Sequence, residues 1–376
     1  MKIIGIIAEY NPFHLGHLYQ IKEIKKRYPD SLIIAITSTY FTERGDISIL
    51  NKWDKTNIAL NNGIDLVLEL PTLYATQSAD IFAASALKIL NEIHIDILAF
   101  GTESDNLDNI DKLADIQLNN KEYDTLVKDY LDKGINYPTA MSKALYDLSK
   151  ITINTPNDLL ALSYVKEIKK KNYHINPIAI KRTNDYHSKT VKNNIVNASL
   201  IRELFINNKE ISNYIPKDTQ KYYNKITLND AYPFLKYNII TNKTNLDKYL
   251  DITEGIDSRI IKNINNSSNW LELVKNIKTK RYTYNKINRM LIHILLDIKK
   301  EDINNDTYIR VLGFNNKGKN YLNKIKKTFT IPFINTYKTN NKALDTELKA
   351  TYIYSLITNN NDLIKKEIAN KPIIIK

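Results

Sequence analysis

Residues 2–18 read KIIGIIAEYNPFHLGHL, and the architecture follows from the way this stretch changes character. Lys2 to Ala8 is rich in β-branched residues and too short for a core helix, so it reads as a buried strand. From Leu18 onward, apolar or aromatic residues recur at Leu18, Ile21, Ile24 and Tyr28, a helical spacing that Pro29 ends. A strand that passes through one short turn into a helix predicts the opening unit of a parallel sheet. In such sheets ligands lie beyond the carboxyl ends of the strands, and the first strand–helix turn is the usual phosphate site. The helix N-terminus adds unpaired N–H groups and the positive end of its dipole.

His14 and His17, three apart at that helix start, share one face and can reach one anion. Gly16 removes a side chain where a ligand must come close. Imidazole donates hydrogen bonds to phosphate oxygens and, when protonated, offsets growing negative charge. Paired histidines also bind zinc, but zinc takes three or four ligands. The chain has six His and no Cys, so no metal site is expected.

Outward from this turn the alternation continues. Leu32 to Thr37, Asp65 to Leu70, Ile95 to Phe100 (running into Gly101) and Asn176 to Lys181 read as further strands, and Ser78 to Leu90 as a helix. A mostly helical, acidic insertion is expected at about 105–150. Beyond residue 205 the period changes: Lys248 to Ile264, Trp270 to Ile277, Tyr284 to Lys300 and Leu344 to Ile357 read as helices. No repeat of solenoid length stands out. The expected fold is α/β, with a Rossmann-like parallel-sheet domain over 1–215 and a mainly α-helical, basic domain over 216–376.

The 376 residues are 43% apolar and 10% aromatic, which excludes a largely disordered chain and suits two or three domains. Without Cys there is no disulfide scaffold, and a reducing compartment fits. No apolar run nears the ~20 residues that span a bilayer, and the first residues lack a signal peptide's long apolar stretch. A cytoplasmic protein with no membrane partner is therefore expected. Residues 1–215 carry 25 Lys+Arg and 26 Asp+Glu, whereas residues 216–376 carry 29 and 15, so the whole excess of +13 lies in the second part. That asymmetry points to a polyanion, most simply a nucleic acid. A lysine-rich coding bias is the plainer explanation, but bias alone should raise both parts.

FHLGH after the first strand resembles the HxGH signature of the nucleotidyltransferase superfamily, and GIIAEYNPFHLGHLYQI is similar, more narrowly, to the tRNA(Met) cytidine acetate ligase family. TSTYFTERGDISILNKWDKTNIAL, GIDLVLELPTLYATQSADIFA, ILAFGTES, TPNDLLALSYVK, IAIKRTNDYH, NASLIREL, KTKRYTYNKINRMLIHILL and YIRVLGF follow in that family's order, so the resemblance covers most of the chain. Two places depart from it. The family's SGNFxQRG is Ser38-Thr39-Tyr40-Phe41-Thr42-Glu43-Arg44-Gly45 here, and its Gly-Tyr-His after the fifth strand is Asp185-Tyr186-His187.

The resemblance implies an ATP site over Ile7 to Gln20, with Ile7, Ala8, Glu9, Asn11, Phe13, His14, Gly16, His17 and Gln20 around the nucleotide. It adds Gly101 and Asn157, and the physical reading puts His14 and His17 on the phosphates as the catalytic pair, with Arg182 joining the ATP site. Without the resemblance, Gly101 is a turn glycine and Asn157 a helix cap. Arg182, at the end of the fifth strand, places a fixed cation at the carboxyl edge. Ser199 and Arg202 resemble the superfamily's second phosphate-binding motif; the alternative is an N-cap beside a surface arginine. Lys278, Lys280, Arg281 and Arg289 mix cations with tyrosines, as RNA contacts do, or else line a solvated helix face.

The implied reaction activates acetate with ATP and acetylates the wobble cytidine of elongator tRNA(Met), giving N(4)-acetylcytidine. Mg²⁺ bound to the triphosphate is compatible with this chemistry, although no carboxylate cluster in the sequence fixes it. Two other readings stand beside this one: a nucleotidyltransferase acting on a small metabolite, and a non-catalytic RNA-binding protein.

Overall fold

The computed structural model describes residues 1–182, 195–253, 255–303, 306–334, 337, 341–369 and 371–376. The opening stretch forms β1 (Ile3–Ala8) and α1 (Leu15–Arg27). There follow β2 (Leu32–Ser38), α2 (Lys52–Asn61), β3 (Leu66–Leu70), the single turn α3 (Thr72–Ala75), α4 (Ala79–Glu92) and β4 (Ile97–Thr102). The expected insertion is three helices, α5 (Leu107–Asn119), α6 (Lys121–Asp132) and α7 (Tyr137–Ser149). After them come α8 (Pro156–Lys171), β5 (Asn176–Lys181) and α9 (Ala198–Ile206). Asp185-Tyr186-His187 lie outside the described residues.

The sheet has seven strands in the order β5-β4-β1-β2-β3, then β6 (Val311–Phe314) and β7 (Ile373–Ile374). β1 to β5 pair in parallel, with Ile3 opposite Leu32 and Thr102 opposite Lys181. Helices cover both faces, so β2 and β3 are buried along their whole length and read as unbroken apolar runs. From β1 the chain moves one way to β2 and β3, and from β4 the other way to β5. The strand order therefore reverses between β1 and β4, and a crevice opens there at the carboxyl edge.

The second part of the chain contributes α10 (Leu228–Thr241), α11 (Ile256–Ile264), α12 (Trp270–Ile277) and α13 (Tyr284–Leu295), then β6. After β6 come α14 (Asn316–Ile325), α15 (Lys342–Thr358), α16 (Asp362–Ala369) and β7. Three expectations need correcting. The helix expected from Lys248 begins only at Ile256, because Gly255 takes a positive φ of 72°. The helix expected to reach Lys300 ends at Leu295, and Asp297 has a φ of 52°. The stretch YIRVLGF, expected within a helical region, supplies β6, which pairs antiparallel with β3. The sheet thus crosses the compositional boundary at residue 215.

A buried charge cluster fastens this crossing. Lys52 of α2 is fully buried and bonds Glu69 of β3 (2.6 Å), Glu347 of α15 (3.0 Å) and Glu367 of α16 (2.6 Å). Arg310, just before β6, pairs with Glu69 and Glu367, and the Tyr308 hydroxyl donates to Glu69 at 2.6 Å. Burial pushes the Glu347 carboxyl up, which brings three carboxylates and two cations toward electrical balance. Among the described residues this is one trio of carboxylates spaced closely enough to share a metal ion, but Lys52 occupies its centre.

Candidate active site

The turn between β1 and α1 is shaped by its own side chains. His14 caps α1: its Nδ1 accepts from the Gly16 N–H at 3.0 Å, while its own N–H donates to Nδ1 of His17 at 3.1 Å. The rings lie 3.9 Å apart, centroid to centroid. A Cβ on Gly16 would stand 2.7 Å from Cε1 of His14. The glycine is therefore required by the His14 ring itself, where the sequence suggested only room for a ligand.

These bonds fix the proton positions. An Nδ1 that accepts cannot carry a proton, so each neutral ring holds its N–H at Nε2. No described residue accepts either of those N–H groups. Burial, then the Arg182 and Arg202 guanidinium groups, push the His14 pKa down to about 3. Burial, His14 and Arg182 depress His17 likewise. Of the two roles open to imidazole, this leaves the donor role: both rings are neutral donors in a field already made positive by two arginines.

The other positions sort themselves around this pair. Ile7 and Ala8 end β1, opposite Ile36 and Thr37. Phe13 is buried, and its carbonyl accepts from the Tyr223 hydroxyl at 3.3 Å. Gln20 donates to the Ala99 carbonyl at 3.2 Å and so ties α1 to β4 across the crevice. Gly101 lies inside β4 instead of in a turn, and the Arg182 stem crosses it: a Cβ there would meet Arg182 Cγ at 3.4 Å. Asn157 is not the cap of α8, which is Thr155; its Nδ2 donates to the Glu103 carboxylate. Arg182 Nε faces the same Glu103 oxygen at 3.9 Å. His14, His17, Gly101, Asn157 and Arg182 thus border one crevice at the switch point.

Four candidates make their contacts within the scaffold. Both ends of the Asn11 amide are occupied: Nδ2 donates to the Ile47 carbonyl at 3.1 Å, and Oδ1 accepts from the Ile49 N–H at 3.0 Å. Arg202, expected on phosphate or at the surface, donates to the Asn11 carbonyl at 2.7 Å and to Asp46 at 2.8 Å. Ser199 lies 3.5 Å from Arg202 on α9, whose cap is Asn197. The Glu9 carboxylate accepts from the Glu43 N–H at 2.7 Å, and burial raises its pKa.

Sequence reasoning missed Glu103, Asp158 and the Tyr40–Ser48 segment. Asp158 accepts from the Glu103 and Ser104 N–H groups and shapes the exit from β4. Tyr40 to Ser48 folds as a small hairpin, with Phe41 bridged to Ile47 and the Thr42 N–H donating to the Asp46 carbonyl. Its departure from the family's SGNFxQRG was visible, but its grip on Glu9 and Asn11 spans more than 30 positions.

In the basic part, Lys280 and Arg281 are exposed in the turn between α12 and α13. Arg259, Lys262, Thr279, Arg281 and Tyr282 line a cavity of about 590 Å³ beside it. Lys278 folds back: its Nζ donates to the Thr279 carbonyl at 2.6 Å and sits 5.2 Å above the exposed Tyr284 ring. Arg289 does not belong with them. It is 8% exposed and donates to the Glu43 carbonyl at 2.9 Å and to Glu43 Oε1 at 3.2 Å. Among the described residues no helix is long and apolar enough to cross a membrane.

Known proteins resemble this chain along its length. The HIGH nucleotidyl transferase family model matches residues 1–368. A tRNA(Met) cytidine acetate ligase of Clostridium novyi is 36% identical, with both chains covered completely. One from a Thermoanaerobacter species is 38% identical over 96% of this chain and 97% of its own. The crystal structure of Thermotoga maritima TmcAL superposes with a TM-score of 0.92 in its apo form and 0.90 bound with alpha-thio ATP. In both cases it shares 25% identity and all of both chains is covered. With the switch-point turn, the HxGH cap and this likeness along the whole length, the chain belongs to the tRNA(Met) cytidine acetate ligase family of HIGH nucleotidyl transferases.

Proposed function

We propose that this protein activates acetate with ATP and transfers the acetyl group to the exocyclic amine of the wobble cytidine of elongator tRNA(Met), in the cytoplasm. The observation that carries the reading is the pair of neutral imidazoles, each with Nδ1 engaged as an acceptor and Nε2–H left to donate. Relatives bearing this activity in their names, and an ATP analogue bound to a protein of the same fold, support it.

The chemistry follows from the groups present. ATP lies across the crevice with its phosphates at the start of α1, where backbone N–H groups and the two Nε2–H donors meet them. Arg182 adds charge from β5, and Asn157, Gly101 and Ile7 to Gln20 complete the nucleotide's surroundings. An acetate oxygen attacks the α-phosphorus, the bond to the bridging oxygen breaks, and pyrophosphate leaves. Preorganised donors stabilise the charge that builds up on the phosphoryl oxygens. The cytidine N4 then attacks the acetyl carbonyl of the mixed anhydride. AMP departs, the nitrogen loses a proton, and N(4)-acetylcytidine remains. No thiol is available in the chain for a thioester route. Mg²⁺ would be held by the triphosphate oxygens and not by the β1–α1 turn, which offers donors and cations but no carboxylate trio.

We assign RNA contact to Lys278, Lys280 and Arg281 at the α12–α13 turn, where cations can follow phosphates and Tyr284 can stack on a base. The test is incubation with ATP, labelled acetate and tRNA(Met). Label in the tRNA is the expected result. ATP consumed with a small-molecule acceptor, or tight RNA binding with no turnover, overturns the reading. His14→Ala is expected to abolish acetylation and leave tRNA affinity within about twofold, because the lost donor touches only the nucleotide.

A further inference from the structure

Arg289 lies on α13, directly after the Lys278–Arg281 segment, yet its guanidinium points away from solvent and into the hairpin over Tyr40–Ser48. The hairpin is closed by its own bonds: the Gly45 N–H donates to Thr42, the Ser48 N–H to Tyr40, and the Asp46 N–H to Thr42 Oγ1. Its tip lies flat on α13. Gly45 has a φ of 73°, and a Cβ there would meet the Arg289 backbone nitrogen at 2.6 Å. On its other side the hairpin grips the β1–α1 turn at three points. The Glu43 N–H donates to Glu9, the Ile47 carbonyl accepts from Asn11, and Asp46 holds Arg202, which in turn holds the Asn11 carbonyl. Three segments far apart in the chain thus meet in one stack: α13, the hairpin tip, and the turn that carries His14.

We infer that Arg289 is a positioning residue of the nucleotide site, holding the hairpin tip against α13 so that Glu9 and Asn11 keep the β1–α1 turn in its phosphate-binding shape. The inference rests on the ATP reading above and reassigns a cation that sequence alone places on RNA. Glu43 gives Arg289 a carboxylate in addition to a carbonyl. A charge-assisted pair of this kind, mostly withdrawn from water, is among the stronger single hydrogen-bonded contacts.

The test compares wild type, Arg289→Met, Arg289→Lys and Gly45→Ala in two assays: acetate-dependent exchange of pyrophosphate into ATP, and tRNA binding. Thermal melting verifies that each variant is folded. Arg289→Met is expected to lower kcat/KM for ATP in exchange about 10- to 100-fold, with tRNA affinity unchanged within about twofold. Arg289→Lys, which keeps the charge but lacks the planar fork, should recover part of the loss. Gly45→Ala lifts the tip without touching any charge and should show the same split. A folded Arg289→Met that exchanges normally, or one that loses tRNA affinity and keeps exchange, overturns the inference. If Arg289→Met does not fold, the Arg289→Lys and Gly45→Ala results decide it on the same criteria. Should wild type show no acetate-dependent exchange, the acetate reading fails by itself, and ATP affinity by calorimetry still decides the role of Arg289.

Discussion

A neutral imidazole meets phosphate as a donor and not as a counter-ion, and this sets how His14 responds to pH. Its ring stays uncharged in the folded protein down to about pH 3, whereas an imidazole in the unfolded chain titrates near 6.5. Below about pH 6.5 the unfolded state takes up a proton that the native state refuses. Stability contributed by this group is therefore complete above that pH and falls as the pH drops toward 3, at about 1.4 kcal/mol per pH unit. Chemical denaturation between pH 4 and 6 should show at least this slope, and His14→Gln should lessen it, with His17 supplying a share of what is left. Nitrogen chemical shifts of His14 should not move between pH 5 and 8, and a midpoint near 6.5 would show that the ring is not held as described. The letters His14-Leu15-Gly16-His17 announced the site. Their protonation was not legible, because it depends first on burial and then on the arginines, Arg182 and Arg202, that approach from β5 and α9.

At the scale of elements, exposure separates the arginines and lysines that composition had pooled. Lys280 and Arg281 project from the α12–α13 turn, so replacing both by Glu should weaken tRNA binding at least about tenfold and reduce its salt dependence by about one to two ions. Pyrophosphate exchange should stay within about twofold of wild type. The strands of the first half were readable, since runs such as Leu32–Ser38 have no polar face and no length for a helix. The Asn176–Lys181 strand matched its expected bounds. Strand β6 was not readable: four residues, Val311–Phe314, gain strand character only by pairing with β3, some 245 positions earlier. The hairpin over Tyr40–Ser48 escaped for a similar reason, its partners being Glu9, Asn11 and Arg289 and not its neighbours.

For the whole molecule, the central question is what keeps two compositionally different parts in one body. The Lys52 cluster does much of this, and Lys52→Met leaves Glu69, Glu347 and Glu367 facing one another with Arg310 alone to offset them. Loss of about 3–5 kcal/mol in unfolding free energy is expected by denaturant titration. A fragment of residues 1–215 should fail to give a cooperative transition, because it keeps Lys52 and Glu69 and lacks every other member. Lys52 and Glu347 are separated by 295 positions. During synthesis the ribosome adds roughly 5–20 residues each second, so the histidine turn emerges on the order of 15–60 s before the glutamate that completes the interior. Through that interval the nascent chain displays a Lys52 ammonium with Glu69 as its one cluster carboxylate, and bare sheet edges, a natural target for chaperones. A truncated message would yield a product with all the letters for gripping nucleotide and no settled shape in which to use them.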